Sequence, residues 1–334
     1  MRVGVIGAGA VGGAIAALLA RAGNEVEVTA RGAHLAAIRE HGIQLSGAWG
    51  DYTAAVEANE VLSHGPELVI VATKAQDSAA AIEDNRRVLA GIPLLIVQNG
   101  LDGIANARLA APQSDIIGGL AVFATSYLSP GKITVTTAGK LFVGVDGEDD
   151  VPARYVVRAL APALRTELVQ NFAGAQWTKL VINQVNALPA ITGLSVQDVV
   201  ANPVLRRLLA ASMRENVSIG FANRVRFEKL QGLGPRGLRL FSMVPLWAGQ
   251  LLPLALRSRL GARPNPGSTL QSIRRGQATE IDYLNGSVVR AAEKVGRTAP
   301  LNVTMVELVH EVEKTGVFLT PAQVAARFSR ATVG

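Results

Sequence analysis

The chain opens MRVGVIGAGAVGG, and no other stretch restricts its fold as tightly. The β-branched run at 2–6 has the composition of a parallel strand buried on both faces. Gly7, Gly9 and Gly12 follow in the G-x-G-x-x-G spacing, and a run of small apolar residues at 14–22 then continues at helical period. Each glycine meets a separate demand: Gly7 the tight turn, Gly9 close approach of backbone to a pyrophosphate, Gly12 close packing of helix on strand. The pyrophosphate would rest on the helix N-terminus, where unpaired N–H groups and the helix dipole favour an anion. The loop Gly7, Ala8, Gly9, Ala10, Val11 and Gly12 is therefore the expected dinucleotide cradle. The competing reading, an ordinary glycine-rich turn, does not explain why the pattern joins a strand to a helix.

The next strand, at 26–29, ends in Thr29-Ala30-Arg31. A site specific for NAD usually places an acidic side chain there to bond the ribose 2′-OH, whereas a guanidinium suits a 2′-phosphate. Arg31 thus points to NADP(H), against the alternative of a solvated arginine at a helix start.

A chain of 334 residues exceeds what one typical core organises, so two domains are expected. It has no cysteine, which excludes disulfides, thiolate catalysis and Cys-ligated zinc. His34, His41, His64 and His310 are scattered, with no metal-ligand spacing, and read as surface or helix-end residues; no metal is expected. The longest apolar stretch, 241–256, is interrupted by Pro245, Gln250 and Pro253 and falls short of the roughly 18–20 residues that span a bilayer. It is a candidate dimer surface or lid rather than a membrane segment. With no secretory signal read at the N-terminus, the expected location is the cytoplasm. The net charge of +7 is divided unevenly, 10 Lys+Arg against 16 Asp+Glu over 1–150 and 23 against 10 over 151–334. The basic half has few aromatics and no nucleic-acid motif. Its field is assigned to attracting an anionic cofactor and a carboxylate substrate rather than nucleic acid.

Strand and helix alternate through the first half, as in a doubly wound sheet. Helices are expected at 33–41, stopped by Gly42, at 75–89 and at 152–164. Further strands are expected at 43–45, 53–56, 67–73, 93–97, 115–126, 132–137, 141–145 and 167–169. From about residue 171 the period turns helical, at 176–200, 203–223, 236–259, 268–296 and 301–315, with a short piece after Pro321. The fold class is accordingly α/β, a Rossmann-like NADP-binding domain at 1–170 followed by an all-α substrate and catalytic domain at 171–334, with a cleft expected between them. Ligands of such sheets bind beyond the carboxyl ends of the strands. That places Lys74 and Asn99 on the rim of the glycine loop, Lys74 for a cofactor phosphate and Asn99 for the nicotinamide ribose or a substrate carboxylate.

In the helical half, Lys179, Asn183 and Asn186 are spaced i, i+4, i+7, which sets them on one face of a helix otherwise built of Leu, Val and Ile. Amides are costly to bury without partners, so this face reads as a polar wall, against the alternative of a solvated Lys/Asn stripe. Ser268 with Gln271 matches an S-x-x-Q capping box, the structural alternative to a functional serine at a helix mouth, and both roles can hold at once. Glu280, twelve residues on, is expected three turns further along the same helix, with a surface pairing to Arg275 or Lys294 as its alternative.

GAGAVGG at 7–13, TKA at 73–75, QNG at 98–100, WTKLVINQVNAL at 177–188, GSTLQSIRRGQATEIDYLNG at 267–286 and VGRTAPLN at 295–302 occur in that order. Together they resemble the ketopantoate reductase family over nearly the whole chain. The resemblance implies a Rossmann domain joined to a helical domain like that of 6-phosphogluconate dehydrogenase. It also implies NADPH-dependent reduction of 2-dehydropantoate to pantoate, a step of pantothenate biosynthesis. By the same resemblance Lys179 matches the general acid, and Glu280 the glutamate near the nicotinamide ribose and the catalytic lysine. Asn99 matches a contact to cofactor and substrate, Asn183 and Ser268 match substrate contacts, and Lys74 matches a cofactor contact. The chain departs from the pattern at the second asparagine of the lysine helix, here Asn186 at i+7, expected as a further substrate contact, rather than a residue at i+8, where Ala187 stands as the alternative. Gln271-Ser272 replaces the usual Gln-Asp. These departures touch substrate contacts, so reduction of a different 2-oxo acid stays open beside ketopantoate. A non-catalytic NADP(H)-binding sensor is the remaining alternative.

Overall fold

The computed structural model describes residues 1–147, 149–258 and 264–331, and its contacts separate two units, Met1–Phe172 and Ala173–Gly334. The strands of the first unit are β1 (Arg2–Ile6), β2 (Glu25–Thr29), β3 (Ile43–Gly47), β4 (Tyr52–Ala54), β5 (Glu57–Asn59), β6 (Leu68–Val71), β7 (Leu94–Val97), β8 (Ile116–Ser129), β9 (Lys132–Gly144) and β10 (Thr166–Leu168). They form one sheet in the order β4-β3-β9-β8-β7-β6-β1-β2-β5, with β10 paired to β9. From β5 across to β8 every pairing is parallel. The LVIV and LLIV runs of β6 and β7 are buried throughout, as a central parallel strand requires. The chain leaves β1 toward β2 and later returns to β6 on its other side, so the sheet reverses its winding at the carboxyl end of β1. That reversal is where doubly wound sheets bind ligands.

Helix α1 (Ala10–Arg21) follows β1 at once and buries Gly12 to Leu19 against the sheet. The other helices of this unit are α2 (Gly32–His41), α3 (Ser78–Asp84), α4 (Gly103–Ala110) and α5 (Val151–Leu160). The α/β class is as expected, and several elements differ from expectation for specific physical reasons. The helix at 75–89 is cut at Asn85, whose buried amide accepts from the Leu62 N–H at 2.7 Å and donates to the Ala81 carbonyl at 2.7 Å. The strands at 132–137 and 141–145 are one strand, β9. Gly139 lies within it, where a Cβ would fall 1.8 Å from the Val122 carbonyl oxygen, and the pairing with β8 absorbs the irregularity as a bulge at Val122/Ala124. Helix α4 was not anticipated at all.

The second unit is helical: α6 (Phe172–Asn183), which begins on the last residue of the first unit, α7 (Ala187–Thr192), α8 (Val196–Ala201), α9 (Pro203–Ala222), α10 (Pro235–Met243), α11 (Leu246–Gly249), α12 (Leu251–Arg257), α13 (Gly267–Arg274), α14 (Asn285–Lys294), α15 (Pro300–Thr315) and α16 (Pro321–Ala331). Three long helices expected here are in pieces. Gly193 (φ +72°) ends α7 in the left-handed conformation, and Ser195 then caps α8 by accepting from the Asp198 N–H. Pro245 and the residue before it separate α10 from α11 within 236–259, whose last residue lies outside the described ones. Gly276 (φ +62°) stands just past α13. Helix α9 keeps its expected length, with Asn202 as cap and Pro203 in the first turn. The apolar 241–256 segment leaves Met243, Trp247, Leu251 and Leu254 exposed. No helix among the described residues is long and apolar enough to cross a membrane.

Candidate active site

In the first unit the glycine loop joins the carboxyl end of β1 to α1. Gly7 has φ +94°, and a Cβ on it would lie 2.8 Å from Thr73 Cγ2 and 2.9 Å from the Thr73 nitrogen. Thr29 at the end of β2 accepts the Gly7 N–H on its hydroxyl at 2.9 Å and the Ala8 N–H on its carbonyl at 2.9 Å. Gly9 caps α1 with no side-chain bond, and the first turn of α1 has no acidic residue. The helix therefore presents unpaired N–H groups with nothing negative against them, the surroundings an anion needs. A Cβ on Gly9 would meet no protein atom within 4 Å. Packing does not require that glycine, whereas a closely approaching dinucleotide would. The loop fits the group.

His34, read from sequence as a surface or helix-end residue, holds this loop in place. Its Nε2 lies 2.7 Å from the Ala8 carbonyl, and its Nδ1 accepts the Gly131 N–H at 3.0 Å. An Nδ1 that accepts leaves the proton on Nε2, so the ring is neutral and donates to Ala8. Arg31 follows β2, 77% exposed in its side chain, with Asp84 its partner at 3.1 Å. Lys74 and Asn99 lie just past β6 and β7, both half-buried, on the same rim as the loop. Between them the buried Gln98 ties the two strand ends by donating to the Thr73 carbonyl at 3.2 Å. Glu27, Glu57 and His64 are close enough to hold a cation, but Glu27 Oε1 already accepts from Asn59 Nδ2 and from the Ser63 N–H and hydroxyl. Closing the 59–64 loop accounts for that cluster.

In the second unit Lys179 lies on α6, half-buried among buried neighbours Trp177, Thr178, Leu180 and Val181. Loss of water around the ammonium lowers its pKa from 10.5 to about 8, and the Glu280 carboxylate pulls the other way. Lys179 and Glu280 are thus brought together from distant stretches of chain. They do not share the arrangement expected for the rest of the cluster. The regular helix ends at Asn183 and passes through a 3₁₀ turn, Gln184–Asn186, before α7. Asn186 is committed to bracing backbone: its Oδ1 accepts the Ser268 N–H at 3.1 Å and its Nδ2 donates to the Asn183 carbonyl at 3.0 Å. Ala187, the alternative second contact, is fully buried.

Ser268 does not form a capping box. Helix α13 begins at Gly267 after Pro266, and its first N–H groups are taken by Asn265 Oδ1 (2.8 Å) and Asn186 Oδ1. Ser268 already lies inside α13, with Pro266 at the capping position, so its exposed hydroxyl is not a cap. Nor does Glu280 continue the Ser268 helix, since α13 stops at Arg274 and Glu280 introduces a separate 3₁₀ turn, Ile281–Tyr283. A polar chain that sequence alone did not reveal supports the lysine helix. Gln184 Oε1 accepts from Ser212 Oγ and from Asn285 Nδ2 (2.8 Å), and Asn285 Nδ2 also reaches Asn302 Oδ1 (3.0 Å). Asn302 in turn donates its Nδ2 to Glu215 at 2.7 Å, and Glu215 takes the Leu301 and Asn302 N–H groups at the start of α15. Burial pushes the Glu215 carboxyl up, and those donors offset part of the rise.

The family model for ketopantoate reductase PanE/ApbA matches residues 3–147, and the model for the C-terminal part of the same family matches residues 171–313. A 2-dehydropantoate 2-reductase of Pyrococcus horikoshii is 25% identical over 319 residues, 95% of this chain and 99% of its own. A PanE/ApbA family ketopantoate reductase from Ralstonia eutropha, known from its crystal structure, matches with a TM-score of 0.80 at 27% identity, covering 94% of this chain and 99% of that one. D-mandelate dehydrogenase, in its ternary structure with NADH and anilino(oxo)acetate, also matches with a TM-score of 0.80, at 19% identity and with coverage of 94% and 99%.

Proposed function

The chain belongs to the ketopantoate reductase family, a family of oxidoreductases, and from that premise we propose that it reduces 2-dehydropantoate to pantoate with NADPH. Lys179 carries this reading. Bound NADPH supplies the hydride. The chain has to deliver a proton to the carbonyl oxygen as it becomes an alkoxide, and to stabilise the charge until then. A lysine brought from 10.5 to about 8 is still protonated at neutral pH, yet releases its proton more readily than an ordinary one. Glu280 keeps that ammonium charged against the cost of burial. Asn99, Asn183 and the Ser268 hydroxyl are assigned to the oxo acid, with Asn186 as the brace of the Ser268 helix. The loop 7–12, Arg31, Lys74 and Asn99 are assigned to NADPH, and Glu280 to the edge of the nicotinamide ribose.

Loss of NADPH absorbance tests the proposal, with 2-dehydropantoate, pyruvate, 2-oxoisovalerate and phenylglyoxylate as substrates. The last is included because the same fold serves D-mandelate dehydrogenase. The highest kcat/KM on 2-dehydropantoate supports the proposal. Preference for another oxo acid moves the assignment to that substrate, and NADPH binding without turnover of any makes the protein a sensor.

Arg31 decides the cofactor. Replacing it with alanine should weaken NADPH binding about 10–100-fold, the worth of a charge-assisted bond to a phosphate, and leave NADH binding nearly unchanged. Fluorescence titration with each cofactor measures both. Equal losses for NADPH and NADH would remove Arg31 from 2′-phosphate recognition.

A further inference from the structure

Glu280 lies between two residues that one helix grips. On its N-terminal side the Thr279 N–H donates to Glu313 Oε1 at 2.7 Å. On its C-terminal side Asp282 Oδ1 lies 3.1 Å from His310 Nε2, and His310 Nδ1 lies 2.7 Å from Glu313 Oε2. His310 and Glu313 are one turn apart on α15, so the circuit Thr279, Glu313, His310, Asp282 closes around Glu280 from a single rigid element. Both ring nitrogens face carboxylate oxygens, which only accept, so the complete circuit needs an imidazolium holding both protons. The side chains of His310 and Asp282 are about half exposed (46% and 53%), and ion pairs of that kind add little to stability. What the circuit does fix is the path of the chain through Glu280.

We propose that His310 and Glu313 are positioning residues, which hold residues 279–282 against α15 so that the Glu280 carboxylate stays beside Lys179. The proposal rests on the reading of Lys179 as the proton donor. The charged groups acting on the His310 ring are Asp282 from the 3₁₀ turn and Glu313 from its own helix. Arg290 of α14 reaches the same turn at the Asp282 carbonyl (2.8 Å), and Arg327 of α16 is taken by Glu311. Burial works against the His310 charge, but the bonds and charges of Asp282 and Glu313 outweigh it and raise its pKa above 6.5. Burial likewise opposes ionised Glu313, and the Thr279 and His310 bonds outweigh it, holding its pKa below 4.5. A raised histidine contributes fully below its ordinary pKa and loses its contribution as pH climbs through the folded value. A lowered carboxylate does the reverse on acidification. The circuit is therefore whole from below pH 4.5 to above pH 6.5 and loosens on the alkaline side.

The test is the pH profile of kcat for His310→Ala, His310→Arg and Glu313→Gln in the full-length protein, with NADPH affinity and thermal midpoint measured alongside. In His310→Ala, kcat should fall roughly tenfold, since a misplacement of ~1 Å costs up to about 10²-fold. NADPH affinity should stay the same. The alkaline limb should move below about 8, because Lys179 loses part of the Glu280 charge that holds its pKa up. Glu313→Gln should move the limb the same way by less, since its amide oxygen still accepts from Thr279. His310→Arg, a permanent cation able to reach both carboxylates, should bring limb and rate back toward the original. An unmoved limb in His310→Ala, or a lowered thermal midpoint with the profile intact, overturns the proposal. If Lys179→Met still turns over, the acid assignment itself falls, an outcome that does not depend on His310.

Discussion

Replacing Lys179 by methionine is expected to cut kcat by about 10²–10⁴-fold, the usual worth of a positioned general acid, while NADPH affinity stays near the original. The same variant should melt at a higher temperature. A lysine whose folded pKa is about 8 against an ordinary 10.5 is costly to fold in its charged form. Below pH 8 both folded and unfolded chains carry the proton, and the full cost is present. Between about 8 and 10.5 the folded chain has released its proton and the unfolded chain has not, so stability rises with pH across that window. Methionine keeps the linear shape of the side chain and removes the charge, which removes the cost at neutral pH. The rate follows the opposite course. Only the ammonium can give a proton to the alkoxide, so reduction by the unmodified enzyme should decline as pH rises through about 8. Calorimetry and a pH series of initial rates, run on the same two proteins, read both effects. Full turnover in Lys179→Met would remove the residue from the chemistry. An unchanged or lower melting temperature would show that the ammonium is better solvated than its surroundings imply.

How much of this was legible in the chain depended on how far away each residue's partners lie. The central strands were plain because LVIV and LLIV are apolar at every position, as a strand covered on both faces must be. The α/β first unit and helical second unit followed from period alone. Helix interruptions were hidden wherever the cause was tertiary. Asn85 stops its helix because it serves the backbone of Leu62, 23 residues earlier. Ser268 carried a convincing capping pattern, yet it lies inside α13, where Asn186, 82 residues away, takes its N–H. His34 looked incidental because its two partners are 26 and 97 residues distant. Glu280 was threaded wrongly, since the helix supposed to carry it ends at Arg274, with Gly276 in a left-handed conformation just beyond. Motif spacing thus named candidate residues but located their immediate scaffolding poorly. Scaffolding is made of long-range hydrogen bonds, which leave no periodic trace.

The glycine loop offers the sharpest separation of packing from binding, through Gly9→Ala and Gly12→Ala. Both add one methyl group, three residues apart. At Gly12 the new Cβ would stand 2.1 Å from the Gly7 carbonyl oxygen and 2.9 Å from Ala72 Cβ. The first of these is backbone, which no rotamer change can move, so either α1 shifts off the sheet or the Gly7 turn opens. Overpacking of this kind costs about 1–3 kcal/mol or more, and it distorts the turn that would meet the pyrophosphate. Gly12→Ala should therefore lose both melting temperature and NADPH affinity. At Gly9 the backbone is at φ −65°, which alanine adopts without strain, and a Cβ meets no protein atom within 4 Å. Gly9→Ala should keep or slightly raise the melting temperature, because alanine narrows the unfolded ensemble. It should still bind NADPH at least about tenfold more weakly, since a buried group kept from its partner costs roughly 1–3 kcal/mol. Thermal melts without ligand and NADPH titrations on the two variants separate the roles. If Gly9→Ala bound NADPH as well as the unmodified chain, the pyrophosphate could not be resting where α1 offers its unpaired N–H groups, and the cofactor's place on this rim would have to be sought nearer Lys74 and Asn99.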